Sequence, residues 1–112
     1  ETLHILETQI KEIFASISSK KRVVIAYEPV WAIGSGKTPT ADEVNNIHQH
    51  IKDIVQSVAN IDAIDVIYGG SVSCENAKSF FRQRNIDGAL IGGASLNGKG
   101  FLNIYNDFLE IL

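Results

Sequence analysis

Methionine is absent from this 112-residue chain, and cysteine occurs once, at Cys74. A single cysteine excludes an internal disulfide. With no charged-then-apolar leader at the start, the expectation is a reducing, cytoplasmic setting. No apolar run approaches the roughly 18 residues of a membrane span, so no membrane partner is expected. Positive charge is also scarce. Ten Lys and Arg against thirteen Asp and Glu leave a net charge of −3, and the basic residues are scattered. That excludes the basic stripe of a nucleic-acid binder, so any anionic ligand has to be held at a local site. No His-Glu-x-x-His or Cys/His spacing is present, so no metal site is expected. What remains is a soluble globular balance, 45% hydrophobic and 21% charged, in a length that suits one domain or part of one. A chain without Met that opens on an apolar helix reads as a piece of a longer protein.

Leu3, Leu6, Ile10, Ile13, Phe14 and Ile17 recur at three- and four-residue steps, the stripe of an amphipathic helix. Val23 to Tyr27 is a continuous, largely β-branched run that reads as a strand buried on both faces. Pro29 stops it, lacking an N–H for the ladder. Thr40 and Glu43 have capping-box spacing, which starts a helix at about Ala41, with Val44, Ile47, Ile51, Ile54, Val55 and Val58 inward. Ile64 to Tyr68 is a second strand. Ser73 is placed to cap a third helix with Ala77, Phe80 and Phe81 inward. Gly88 to Ile91 is a third strand. Leu102, Tyr105, Phe108, Leu109 and Leu112 line a last helix. The order αβαβαβα implies an α/β fold with a parallel sheet, and residues 1–112 belong to a single, incomplete domain.

Each strand ends in unusual residues: Glu28-Pro29, Gly69-Gly70-Ser71 and Gly92-Gly93. In α/β folds the site lies at the carboxyl ends of the strands. Glu28, where a buried strand meets a loop, should have apolar neighbours that sharpen it as a base. It is equally placed to cap a helix or pair with a Lys. No second carboxylate lies near it in sequence, so a paired-carboxylate glycosidase is unsupported. The two Gly-Gly pairs, with Gly34 and Ser71, either present backbone N–H groups to a phosphate or simply make tight turns. Gly34-Ser35-Gly36-Lys37-Thr38 is not a nucleotide-binding P-loop, because Trp31 stands where its first Gly is required. Its Gly-Ser-Gly, bracketed by Pro29 and Pro39, suits a lid with stiff ends. His4, His48 and His50 read as solvated or helix-edge residues, and Cys74 as a half-buried structural thiol.

The residues Ala26-Tyr27-Glu28-Pro29-Val30-Trp31-Ala32-Ile33-Gly34, followed by Gly36-Lys37-Thr38, resemble the signature of the triosephosphate isomerase family. Tyr68-Gly69-Gly70-Ser71-Val72 and Ile91-Gly92-Gly93-Ala94-Ser95-Leu96 resemble two further motifs of that family, in the same order. The resemblance implies the C-terminal part of a TIM (β/α)8 barrel, about its last three and a half βα units. It implies an isomerase of glycolysis and gluconeogenesis that interconverts dihydroxyacetone phosphate and glyceraldehyde 3-phosphate through an enediol, without cofactor or metal. Glu28 would be the base. Gly34, Ser71, Gly92 and Gly93 would hold the phosphate. Pro29, Val30 and Trp31 would form one lid hinge and Lys37, Thr38 and Pro39 the other, with Ala32, Ile33, Gly34, Ser35 and Gly36 as the tip and Tyr68 and Ser71 contacting the closed lid.

Two positions depart from the family pattern. Ser35 keeps the hydroxyl of a more usual Thr. Pro39 replaces a more usual Ala, which removes one N–H and fixes φ at the second hinge. The larger departure is extent. The complete fold has eight βα units in roughly 250 residues, and the family's electrophilic His and its substrate-binding Asn and Lys lie on the half not present here. The expected partners are therefore the triose phosphate substrate and the N-terminal half of the same barrel, in a parent enzyme that is a homodimer. This chain alone is expected to be loosely folded or self-associating, and inactive. The alternative reading is a non-catalytic phosphate-binding or structural half-barrel fragment.

Overall fold

A computed structural model describes residues 2–16, 22–29, 38–59, 61 and 63–112. The elements alternate as read: α1 (Thr2–Ser16), β1 (Arg22–Tyr27), α2 (Ala41–Val58), β2 (Ala63–Tyr68), α3 (Ala77–Phe81), β3 (Gly88–Ala89) and α4 (Gly98–Ile111), with a 3-10 turn at Gly93–Leu96. The strands form a parallel sheet in the order β1-β2-β3. This is part of an α/β barrel, and it is not closed.

Helix α2 begins where local chemistry dictates. The Thr40 side chain accepts from the Glu43 N–H at 3.1 Å, and Glu43 Oε1 accepts from the Thr40 N–H at 3.3 Å. Two N–H groups that the helix itself cannot satisfy are thereby paired. Val44, Ile51 and Val55 are buried on its inward face. Neighbouring helices pack on one another in chain order, α1 on α2, α2 on α3 and α3 on α4, and α2 also lies on β2.

The expectation that the strands are buried on both faces is corrected. Val23, Ile25 and Tyr27 of β1, with Ile64, Val66 and Tyr68 of β2, turn toward the helices and join the core. On the opposite face Val24 is 58% exposed, and Ala26 and Glu28 are exposed beside it. Arg22 and Asp65 pair there at 2.8 Å. The β-branched composition was right for a two-sided burial, but only one side is covered by helices in this chain.

Four further expectations are revised. The third strand pairs only at Gly88 and Ala89, although the Leu90 N–H still donates to the Tyr68 carbonyl at 2.8 Å. It is an edge strand, with β2 as its single neighbour among the described residues. Ser73 does not cap α3 through its side chain. Its carbonyl accepts from Asn76 and Ala77, its N–H donates to Asn76 Oδ1, and the helix starts later and is shorter. In α4 the buried stripe is Ile104 with Phe108 and Ile111 packed against the core, whereas Leu102, Tyr105, Leu109 and Leu112 are exposed. Helix α4 is apolar on more than one side, and contact with α3 selects the face that includes Phe108, whose ring meets Phe81 edge-to-face at 5.1 Å. In α1, Ile10 and Phe14 are buried but Leu3 and Ile13 are exposed, and Ile17 lies outside the described residues. Among the described residues no helix is long and apolar enough to cross a membrane.

The difference between the two sheet faces is measurable. Val24→Lys should leave the far-UV helical signal of the chain intact and reduce its self-association, because the new charge reaches water. Val66→Lys should abolish that signal, because Val66 is fully buried and an unpaired buried charge costs several kcal/mol. Circular dichroism with sedimentation checks both. Equal loss of structure would show that Val24 is covered.

Candidate active site

Register fixes the site. β1 and β2 run parallel with Tyr27 opposite Tyr68, so Glu28 and Gly69 leave the sheet side by side. The Gly69 N–H donates to the Tyr27 carbonyl at 2.7 Å, which ties the two strand ends together. The β2–β3 pairing brings the chain after Ala89 to the same edge. The result is a cavity of about 620 Å³ lined by Glu28, Pro29, Thr38, Pro39, Tyr68, Gly69, Gly70, Ser71, Val72, Gly92, Gly93 and Ala94. Every sequence-designated site residue that lies within the described residues is on that lining. Val30, Trp31, Ala32, Ile33, Gly34, Ser35, Gly36 and Lys37 lie outside the described residues.

The glycines differ in what surrounds them. A Cβ on Gly69 would sit 3.2 Å from the Tyr27 carbonyl oxygen. A Cβ on Gly70 would land on the Tyr68 hydroxyl and ring. Tyr68 cannot swing away, since it is buried and its ring stacks on Phe80 at 4.5 Å. At Gly92 and Gly93 a Cβ would meet none of the described residues within 4 Å. After them, the Ser95 N–H and hydroxyl both donate to the Gly92 carbonyl, at 2.9 and 2.5 Å, fixing the turn.

Glu28 is exposed, which corrects the expectation of apolar surroundings. It stands on the sheet face that no helix covers. Pro29 behind it is buried, as is Pro39 across the cavity. Burial raises the pKa of the Tyr68 phenol, Tyr27 adds to the rise, and the Ser71 backbone opposes it without completing a hydrogen bond. Cys74 is exposed rather than half-buried, with its Sγ 3.7 Å from the Gly100 carbonyl.

His48 was read as solvated or at a helix edge, and it is fully buried. Its Nδ1 lies 2.9 Å from the Asn85 carbonyl, and a carbonyl only accepts, so Nδ1 carries the proton. Its ring meets Tyr27 edge-to-face at 5.7 Å. The sequence did hold a signal. Val44, His48, Ile51 and Val55 follow steps of four, three and four, which place the imidazole within the buried stripe of α2.

A scan of family models matches residues 1–108 to triosephosphate isomerase. The chain belongs to the triosephosphate isomerase family. It is 44% identical to the triosephosphate isomerase of Psychrobacter cryohalolentis, across 98% of this chain and 44% of that protein. It is 45% identical to that of Borrelia hermsii, across 95% of this chain and 44% of the relative. A shorter match to that of Legionella pneumophila is 54% identical over 72% of this chain and 33% of the relative. The chain therefore spans less than half the length of these triosephosphate isomerases.

Burial lowers the pKa of His48 to about 4, against the Asn85 carbonyl and Asp87, which favour the charged ring, while Lys52 acts with burial. The unfolded chain, with its ordinary histidine near 6.5, takes up a proton first. Stability contributed by the neutral ring is therefore present above pH 6.5 and is lost as pH falls toward 4, by up to about 3 kcal/mol. Urea titrations between these pH values should show this loss in the wild type and not in His48→Gln. Parallel pH profiles for the two would remove the imidazole as the cause.

Proposed function

We propose that this chain supplies the base, the lid and the phosphate site of an isomerase that interconverts dihydroxyacetone phosphate and glyceraldehyde 3-phosphate. The observation that carries the reading is the shared cavity: Glu28, Ser71, Gly92 and Gly93 come from the ends of three strands and line one space. In this reading the Glu28 carboxylate takes a proton from one carbon of the triose phosphate and returns it to the neighbouring carbon through an enediol. The N–H groups of Gly92 and Gly93, with Gly34 and Ser71, hold the phosphate, as backbone amides without a Cβ in the way are suited to do. The lid, residues 29–39, closes over the site and excludes water that would promote loss of phosphate from the enediolate. Tyr68 and Ser71 receive the closed lid. No cofactor or metal takes part.

The reading requires the N-terminal half of the barrel. Glu28 stands on an uncovered face, and a carboxylate in water is a poor match for carbon acid chemistry. Covering that face with the missing strands would dry the base and complete the substrate contacts. The parent enzyme is proposed as a cytoplasmic homodimer acting in glycolysis and gluconeogenesis, and the 112-residue chain alone as inactive.

Two substitutions in the assembled barrel separate the roles. Glu28→Asp should reduce kcat by about 10²-fold or more and leave inhibition by inorganic phosphate nearly unchanged, because the base is withdrawn by about 1 Å. Wild-type turnover in that variant would refute the base assignment. Gly93→Val should raise KM first. Its Cβ meets none of the described residues within 4 Å, so the fold should survive and the crowding should fall on the ligand. An unchanged KM would refute the anion site. Steady-state kinetics with both substrates reads each outcome, with circular dichroism as the control for folding.

A further inference from the structure

We propose that His48 is a positioning residue that holds the Glu28 end of β1 and the segment leading to Gly92-Gly93 in one fixed relation. The inference rests on the reading of the cavity given above. In the sheet, β1 and β3 each pair with β2 and not with one another. Their separation, and hence the distance between base and anion site, is set through β2 alone unless something else links them. Helix α2 provides the second link. Asn45, His48 and Lys52 stand at steps of three and four, on one side of the helix. Asn45 Oδ1 accepts from the Asn85 N–H at 2.8 Å, and His48 Nδ1 donates to the Asn85 carbonyl at 2.9 Å, so one residue just before β3 is held at both of its backbone groups. Lys52 pairs with Asp87 at 3.0 Å, and the same Asp87 oxygen accepts from the Val66 N–H at 2.8 Å. The imidazole also meets the ring of Tyr27, the residue before Glu28.

A side chain that merely filled this space would be cheaper without nitrogen. His48 Nε2 is buried and has no hydrogen-bond partner among the described residues. A buried polar atom left unpaired costs free energy that Leu or Phe would avoid. What the imidazole supplies and they do not is a flat ring against Tyr27 together with a donor to Asn85.

The two contacts can be removed one at a time in a complete isomerase chain carrying these residues. His48→Phe keeps a ring against Tyr27 and drops the bond to Asn85. It should raise KM and the inhibition constant for inorganic phosphate by threefold or more, with kcat within twofold of wild type. His48→Asn keeps a donor near the Nδ1 position and drops the ring. It should lower kcat by tenfold or more, with phosphate inhibition within twofold. Lower thermal stability with kcat and KM unchanged in both variants would make His48 a structural residue only and overturn the proposal. If His48→Phe does not fold, Asn45→Ala removes the other bond to Asn85 and must raise KM in the same way; an unchanged KM overturns the proposal. In the wild type, saturating inorganic phosphate should shift the ring nitrogen resonances of His48 along with the amides of Gly92 and Gly93. A shift of the amides without the ring defeats the positioning role and leaves the cavity reading standing. No shift of either defeats both.

Discussion

The pairing of Tyr27 with Tyr68 in parallel strands is the constraint from which the arrangement follows. Side chains alternate along a strand, so a one-residue slip would turn each residue to the opposite face. In the observed register both tyrosines enter the helical side, where Tyr68 stacks on Phe80 and Tyr27 meets His48. Glu28 then faces the other way, onto the uncovered side and into the cavity. A slipped pairing would push the carboxylate among Val44, Ile51 and Val55 and leave a phenol in water. The apolar cost of that error is what holds the Glu28 carboxylate in place. The bond from the Gly69 N–H to the Tyr27 carbonyl then extends the pairing one step past the sheet, where the two chains part around the cavity.

Among the described residues, one face of the sheet carries no helix. Val24 on β1 and Leu90 just beyond β3 are more than half exposed although both are large and apolar. Exposed apolar residues are ordinary when scattered, but these lie on the same face of one sheet, on either side of β2, with more at Leu102, Tyr105 and Leu109 on the outer side of α4. An open parallel sheet with a bare apolar face is not a stable end state for a soluble domain, since parallel strands are covered on both sides in complete α/β folds. The chain spans 44% of the length of the Psychrobacter cryohalolentis relative, and its sheet is not closed.

What was legible in the sequence was local or repeated. The capping box at Thr40 and Glu43 involves residues three apart, so its reading needed no tertiary knowledge, and it held. The three strand-end motifs converged because parallel strands bring their carboxyl ends to one edge whatever the details of packing. The failures are non-local. Glu28 is exposed because its sheet face carries no helix among the described residues, which its neighbours in sequence do not reveal. The inward face of α4 depends on α3, which selects Phe108 over Leu109. The burial of His48 is legible in its place among Val44, Ile51 and Val55, and not in its separation from His50.

The two glycine pairs look alike in sequence, and the structure separates them. Gly70 is required by the chain itself, because a Cβ there would collide with a tyrosine that is packed from the other side. Gly69 is nearly so, with a carbonyl oxygen 3.2 Å from where its Cβ would stand. Turn geometry and packing are sufficient reasons for that pair, and it says little about ligands. Gly92 and Gly93 have no such reason. A Cβ at either would meet no described residue within 4 Å. A position that the fold does not force, in a chain where glycine carries an entropic cost in the unfolded state, calls for a reason outside the chain. An anion approaching the backbone N–H groups supplies one, since the absent Cβ is what would let it come within hydrogen-bonding distance. The space around Gly92 and Gly93 therefore favours the proposed phosphate site more than the number of glycines in the sequence does.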